Sequence, residues 1–182
     1  MSRSERFPGL ARAGRSGHAR DVKHTDRTST EEELIAREAA RDLVARYNAA
    51  GDAGDAQTVA SLFVPQGVIV VEGVRYEGRE AIRRVFSGVA ASTGPNAEHL
   101  ARLIRHFTAT HRLEVVNPAR VEGSCYYQVL TERGLDHWGR YEDVYVRENE
   151  VWSFVTRRVT IDGMVEGGWC ARMGRAVAAG AP

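Results

Sequence analysis

The sequence predicts an α+β fold, in which a curved antiparallel sheet wraps around N-terminal helices and leaves a central pocket. Apolar residues between positions 30 and 91 recur mostly at helical spacing. Residues 100–162 carry four long strand-like runs separated by short turns, which is the pattern of an antiparallel meander. The length of 182 residues fits one such domain with tails.

Residues 1–29 are predicted to be a disordered, arginine-rich arm. The first thirty residues hold seven Lys or Arg against three Asp or Glu and show almost no apolar periodicity. An Arg- and Ser-rich start is also found in transit peptides, but the acidic residues and the missing amphipathic period argue against one. The domain itself is expected to span residues 30–162.

The first helix is predicted to begin at Thr30. Thr30 and Glu33 have the spacing of a capping box, and the acidic residues of the first turn suit the positive end of a helix dipole. Gly51 stands where the helix should stop. Its core face is expected to carry Ile35, Ala39, Leu43, Tyr47 and Ala50.

The next segments predict a short helix, a hairpin and a third helix. Asp55 can cap the short helix, and Pro65 should end it. A Gly-containing turn between GVIVV and VRY indicates a tight hairpin. The run REAIRRVFSGVAA resumes helical spacing, and residues 92–98 form a loop.

The C-terminal half predicts strands over 100–117, 120–132, 135–148 and 150–162. Asn-Pro, Arg-Gly and Glu-Asn pairs break these runs. Residues 163–182 are expected to be a loose Gly- and Ala-rich tail, part of which could fold over the sheet or a neighbour through Trp169.

Composition excludes several classes of function. A net charge of +1 gives no basic footprint for nucleic acid, so a small molecule is the expected partner. No apolar run approaches the roughly 18 residues of a membrane span, and the start lacks a secretory signal, so we expect a cytoplasmic protein without a membrane partner. Cys125 and Cys170 are too few and too far apart to indicate a disulfide framework or a zinc site.

Asp52 and His106 are the first candidates for chemistry. Asp52 follows Gly51 in a segment where an aspartate is usually a turn or capping residue, but Asp55 has the better capping position. Strict alternation along IRHFTATHRLEV places His106 on one strand face and His111 on the other, unless a bulge intervenes. We therefore expect His111 to point towards solvent.

Arg157 is the third candidate. An arginine on an apolar strand face needs an anion, a carboxylate or a ligand oxygen. It could stabilise negative charge in a pocket, or it could pair with Glu142 or Asp143 on a neighbouring strand. Aromatic residues expected to line the pocket and bind substrate are Tyr47, Phe86, Tyr141 and, at the rim, Trp138.

The motifs ARDLVARYNAAGD, RHFTATHRLEV and GRYEDVYVRENEVWSFVTRR resemble the SnoaL-like branch of the nuclear transport factor 2-like superfamily, over about residues 31–162. The resemblance implies that superfamily's cone-shaped fold. It also implies an Asp–His pair as in lyases of the scytalone dehydratase and hexachlorocyclohexane dehydrochlorinase type. Asp52 and His106 match this pair, and Arg157 matches a pocket arginine of the dehydrochlorinase. The tyrosines of scytalone dehydratase are not plainly reproduced.

These residues predict a cofactor-independent lyase acting on a small cyclic or polycyclic metabolite. His106 would remove a proton, Asp52 would orient its ring, and Arg157 would stabilise the developing negative charge. No metal is expected, because the histidines are dispersed. A SnoaL-like polyketide cyclase or isomerase, or a non-catalytic binding or dimerisation domain, remains an alternative. The resemblance favours a homodimer or homotrimer.

Overall fold

The computed structural model describes residues 29–94 and 100–178, which contain four helices and a six-stranded sheet. The helices are α1 (Glu31–Asp52), α2 (Ala56–Ser61), α3 (Arg79–Ala91) and α4 (Trp169–Ala178). The strands are β1 (Phe63–Val71), β2 (Val74–Glu77), β3 (Ile104–Asn117), β4 (Arg120–Thr131), β5 (Gly134–Glu148) and β6 (Val151–Met164).

The strands form one curved, open sheet in the order β2-β1-β6-β5-β4-β3. β1 pairs in parallel with β6, and the other neighbours are antiparallel. β3 to β6 are the meander expected from residues 100–162. The predicted α+β class and the predicted order of elements are confirmed.

The capping box of α1 is present. The Thr30 hydroxyl accepts the Glu33 amide at 3.2 Å, and the Glu33 carboxylate accepts the Thr30 amide at 2.9 Å. One local prediction differs, because α2 ends at Ser61 and Phe63 already belongs to β1. Pro65 therefore lies inside a strand, where the pairing of β1 with β6 is interrupted between Phe63 and Val68. A proline fits there because its position needs no ladder donor.

The inner face of the sheet carries two apolar clusters. The larger joins α1, α2 and α3 to the sheet around Phe63, Phe154 and Tyr145. The smaller lies between the sheet and α4, around Val129, Tyr127 and Trp169. The interior therefore has one apolar cluster beneath α1, α2 and α3 and another beneath α4.

Helix α1 lies along β3 and is tied to it near both of its ends. Near its start, Arg37 donates to the carbonyl of Leu113 at 2.6 Å. At its last residue, Asp52 accepts hydrogen bonds from His106. Fifteen helical residues and seven strand residues both span about 22 Å, so the two attachments match in length.

A β-bulge interrupts β3 between the two histidines. Ala109 pairs with Tyr126 and Arg112 pairs with Ser124, so two residues of β3 face one residue of β4. Thr110, one of these two residues, has a φ of 53°. The bulge corrects the expectation for His111: its ring turns inwards and its Nε2 lies 3.5 Å from the buried Tyr145 hydroxyl.

The C-terminal segment is not a loose tail. β6 continues to Met164, and α4 follows it, with Trp169 only 8% exposed against the smaller core cluster. The segment therefore packs on the sheet through Trp169, which is one of the two arrangements suggested from the sequence. The arm predicted for residues 1–29 lies outside the described residues apart from residue 29, as do residues 95–99 of the loop and 179–182 of the tail. Across the described ranges, every helix is too short or too polar to cross a membrane.

The bulge gives a stability prediction. Thr110 is a β-branched residue in the left-handed region, which costs about 1–2 kcal/mol that glycine avoids. Thr110→Gly is expected to raise the free energy of unfolding by about 0.5–1 kcal/mol after the entropy cost of glycine. Thr108→Gly is the matched control, because Thr108 is regularly paired with Tyr127. This variant should lower the free energy of unfolding by about 1 kcal/mol. Urea denaturation measures both, and equal losses would contradict the assignment of strain to Thr110.

Candidate active site

Asp52 and His106 lie in direct contact. The His106 Nδ1 is 2.6 Å from Oδ1 of Asp52, and the His106 amide donates to Oδ2 at 3.1 Å. Both carboxylate oxygens are therefore held by the same residue. The side chains of Asp52 and His106 are 14% and 17% exposed, so the pair is sheltered but not fully enclosed.

The hydrogen bonds fix the form of the His106 ring. An ionised carboxylate only accepts, so Nδ1 of a neutral ring must carry the hydrogen. Nε2 then carries a free lone pair and can act as a base towards a bound molecule. The same carboxylate stabilises the positive charge that the ring acquires when it takes a proton.

Asp52 occupies a position that local structure disfavours. It is the last residue of α1, where the helix dipole is negative, and the last turn contains no basic residue. The two hydrogen bonds from His106 offset this repulsion. A locally unfavourable residue that is compensated by a distant partner is the kind of exception expected at functional sites.

Arg157 lies in the interior but not against the Asp52–His106 pair. It has no exposed surface, and its Nε and Nη2 donate to the two oxygens of Asp143, both at 2.8 Å. Burial opposes its charge, but Asp143 raises the pKa of the guanidinium well above its ordinary value. Of the two neighbouring carboxylates considered from the sequence, Asp143 is the partner, whereas Glu142 contacts Arg158.

Aromatic rings connect Arg157 to the Asp52–His106 pair. The guanidinium lies 4.1 Å from the ring centres of both Tyr47 and Tyr141. Tyr141 stacks on Tyr127 at 4.4 Å, and Tyr127 lies 6.5 Å from His106. A continuous series of ring contacts therefore runs from Arg157 through Tyr141 and Tyr127 to His106.

The four predicted substrate-binding residues separate into two groups. Tyr47 and Tyr141 contact Arg157, and Phe86 packs edge-on against Tyr47 at 5.6 Å. Trp138 instead lies on the outer face of the sheet, 39% exposed, and lines a shallow depression there. Its neighbour His137 points inwards, so the rim position suggested for Trp138 is the position of the histidine.

His137 is a second imidazole held by a carboxylate, and the sequence reasoning did not identify it. Its Nδ1 lies 2.9 Å from Oδ1 of Asp136, and both residues are buried. Strict alternation would put adjacent residues on opposite faces. Asp136 is the extra residue of a bulge, because Val129 pairs with His137 and Leu130 pairs with Leu135. No signal in the sequence marks this bulge.

We also looked for a metal site and for surface depressions among the described residues. Within residues 29–94 and 100–178, no three His, Cys, Asp or Glu side chains are grouped as a metal site requires. Three surface depressions lie on the outer face of the sheet or beside α4, and none of these three is lined by Asp52 or His106. The two imidazoles therefore belong to the interior rather than to these depressions.

Comparison with known proteins gives one family match. A model described as a SnoaL-like domain matches residues 32–158, which includes Asp52, His106, His137 and Arg157. No curated protein shows significant similarity to the chain.

Solved structures share the fold. A Mycobacterium tuberculosis protein of unknown function, Rv3472, is 22% identical, with a TM-score of 0.68 over 83% of this chain and 91% of that one. A candidate scytalone dehydratase from Novosphingobium aromaticivorans is 17% identical, with a TM-score of 0.65 over 75% and 91%. The hexachlorocyclohexane dehydrochlorinase LinA-type3 from Novosphingobium barchaimii is 22% identical, with a TM-score of 0.62 over 74% and 91%.

The buried ion pair predicts a large stability difference between two aspartates. Asp143→Asn leaves a guanidinium with no exposed surface beside a neutral amide, and should cost about 3–5 kcal/mol. Asp162→Asn removes the partner of the half-exposed Arg140 and should cost less than about 1 kcal/mol. Urea denaturation at neutral pH measures both. Similar losses would show that the interior ion pair is not a major constraint on the fold.

His137 predicts part of the acid sensitivity of the fold. Burial lowers the pKa of the ring, against the opposing effect of Asp136. The unfolded chain then binds a proton on this residue at a higher pH than the folded one, so stability should fall as pH drops below about 6.5. His137→Gln should lose less unfolding free energy than the parent protein between pH 7 and about 5. Parallel pH profiles would contradict the lowered pKa.

Proposed function

The chain belongs to the SnoaL-like domain family, and we propose that it is a cofactor-independent lyase that eliminates water or a similar group from a small cyclic or polycyclic metabolite. The observation that carries the proposal is the double hydrogen bond between Asp52 and His106. It leaves a lone pair on Nε2 of a partly exposed imidazole. The dehydratase and dehydrochlorinase folds similar to this one support a lyase or isomerase class.

The proposed elimination can be followed on a cyclic β-hydroxy ketone. Nε2 of His106 takes the hydrogen from the carbon beside the carbonyl, and the C–H electrons form a double bond to the carbon that carries the hydroxyl. The C–O bond breaks, and the leaving oxygen receives the proton from the imidazolium to give water. Asp52 holds the ring in one tautomer throughout and stabilises its charged form.

In this proposal, Arg157 is the positively charged group of the interior and donates a hydrogen bond to the substrate. Its Nη1 is fully buried and has no acceptor among residues 29–94 and 100–178. A buried donor without a partner is costly, so a substrate oxygen would gain a hydrogen bond there. The aromatic rings of Tyr47 and Tyr141 beside it suit a flat or alicyclic substrate.

An isomerase or a polyketide cyclase is the second candidate, since both begin with the same proton removal. The observation that favours this reading is the aromatic ring of Tyr127, 6.5 Å from the His106 ring. We also propose a homodimer or homotrimer that acts in the cytoplasm. Exposed aromatic residues on the outer sheet face, at Phe107, Tyr126 and Trp138, support association through that face.

Hydrogen exchange tests the shared first step. The protein is expected to accelerate deuterium incorporation beside the carbonyl of cyclohexanone and 1-tetralone in D2O, followed by proton NMR. His106→Ala should lower this rate by about 10²–10⁴-fold, the usual contribution of a general base. Asp52→Asn should lower it as well, because an amide permits the wrong ring tautomer.

His111→Ala is the matched control, because it removes a histidine from the same strand beyond the bulge. Exchange no faster than in buffer, or an undiminished rate in His106→Ala, would reject the proposal. Formation of cyclohexenone from 3-hydroxycyclohexanone, measured by ultraviolet absorption, separates elimination from isomerisation.

A further inference from the structure

We propose that His137 is a second imidazole of the same site, and that its Nε2 accepts a hydrogen bond from a hydroxyl group of the substrate. This inference rests on the proposed function and narrows its substrate class. A hydroxyl can donate a hydrogen bond, whereas a carbon-bound halogen cannot. The substrate would then be a hydroxylated cyclic compound.

Strand register places His137 opposite His106. His106 pairs with Val129 on one side, and Val129 pairs with His137 on the other, so the three residues form one row across the inner face. Two strand spacings separate the outer members by about 10 Å. Tyr127 lies between the rings, 6.5 Å from His106 and 5.8 Å from His137. A small cyclic molecule is of a size to reach both imidazoles.

Asp136 determines which nitrogen of His137 is available. Its carboxylate accepts from Nδ1 at 2.9 Å, so the neutral ring carries its hydrogen on Nδ1. Nε2 then has a lone pair and has no hydrogen-bond partner within the described ranges. The His137 side chain is buried but keeps 7% of its surface exposed.

Burial beneath α4 lowers the pKa of the His137 ring, which favours the neutral, hydrogen-bond-accepting form over the charged form. Asp136 also accepts hydrogen bonds from the backbone amides of Trp169 at 2.5 Å and Cys170 at 3.0 Å. Its carboxylate therefore caps the N-terminus of α4, where the helix dipole is positive. By contrast, both hydrogen bonds that Asp52 accepts among the described residues come from His106. His137 is further enclosed by Tyr127 and Trp169, and this burial lowers its pKa.

The contact between Asp136 and α4 is built into the backbone. A side chain at position 168 would place its Cβ 2.6 Å from Oδ2 of Asp136 and 2.9 Å from the carbonyl oxygen of Val165. Glycine at this position allows the carboxylate to reach the helix end. The Trp169 indole in addition donates to the Ser92 hydroxyl at 2.9 Å, which fixes the helix over the imidazole.

The inference is tested by comparing the binding of two ligands that differ only in one hydroxyl group. Full-length protein carrying His106→Ala is used because it should react with the probe about 10²–10⁴-fold more slowly. In this protein, 3-hydroxycyclohexanone is expected to bind about fivefold more tightly than cyclohexanone, as one neutral hydrogen bond allows. Adding His137→Phe, a ring of similar shape without the acceptor, should bring the ratio to about one. Adding His111→Phe instead, the same change beyond the bulge, should leave the ratio unchanged. NMR titration measures all three ratios.

Nitrogen-15 NMR of the parent protein gives a readout that does not depend on how a variant folds. In the parent protein without ligand, the Nε2 resonance of His137 should report an unprotonated nitrogen at pH 7. In the His106→Ala protein, where His137 is unchanged and turnover is suppressed, this resonance should shift on addition of 3-hydroxycyclohexanone but not of cyclohexanone. A protonated Nε2, or a ligand preference that survives His137→Phe, would overturn the inference. Because binding is measured without His106, a failure of hydrogen exchange alone rejects the lyase and leaves the hydroxyl contact standing.

Discussion

The guanidinium of Arg157 has no contact with solvent, and the interior is organised around its charge. Asp143 supplies the counter-charge from the neighbouring strand, at 2.8 Å through two oxygens. Tyr47 from α1 and Tyr141 from β5 lie against the guanidinium, so one cation joins the helix to the sheet. An ion pair in this setting adds little net stability when intact but is costly to break. It therefore constrains which side chains can occupy the centre of the interior.

The two histidine–carboxylate pairs differ through the other partners of each carboxylate. Asp52 sits at the negative end of α1 and receives both of its hydrogen bonds from His106. Asp136 divides its oxygens between His137 and the positive end of α4. The first arrangement directs both carboxylate oxygens at one imidazole residue. The second shares the carboxylate with a helix end, and burial lowers the pKa of the His137 ring. Opposite ends of two helices thus give two similar side-chain pairs different chemical characters.

Both pairs depend on irregularities in the strands. The bulge at Thr110 turns His111 towards Tyr145 and leaves it only partly exposed. The bulge at Asp136 puts two adjacent residues on the same face and allows them to hydrogen bond. A bulge changes the face of every later residue relative to strict alternation. Counting along a sequence by twos is therefore reliable only up to the first bulge.

The sequence alone determined the elements and their order, because capping residues, apolar periodicity and turn residues act over a few positions. It also determined the Asp52–His106 pairing, through motif resemblance rather than through local physics. Only the tertiary structure decided that Arg157 pairs with Asp143, that Trp138 faces outwards and that α4 covers His137. These outcomes depend on strand register and on bulges, which are set by contacts between segments far apart in the chain. No local pattern encodes them.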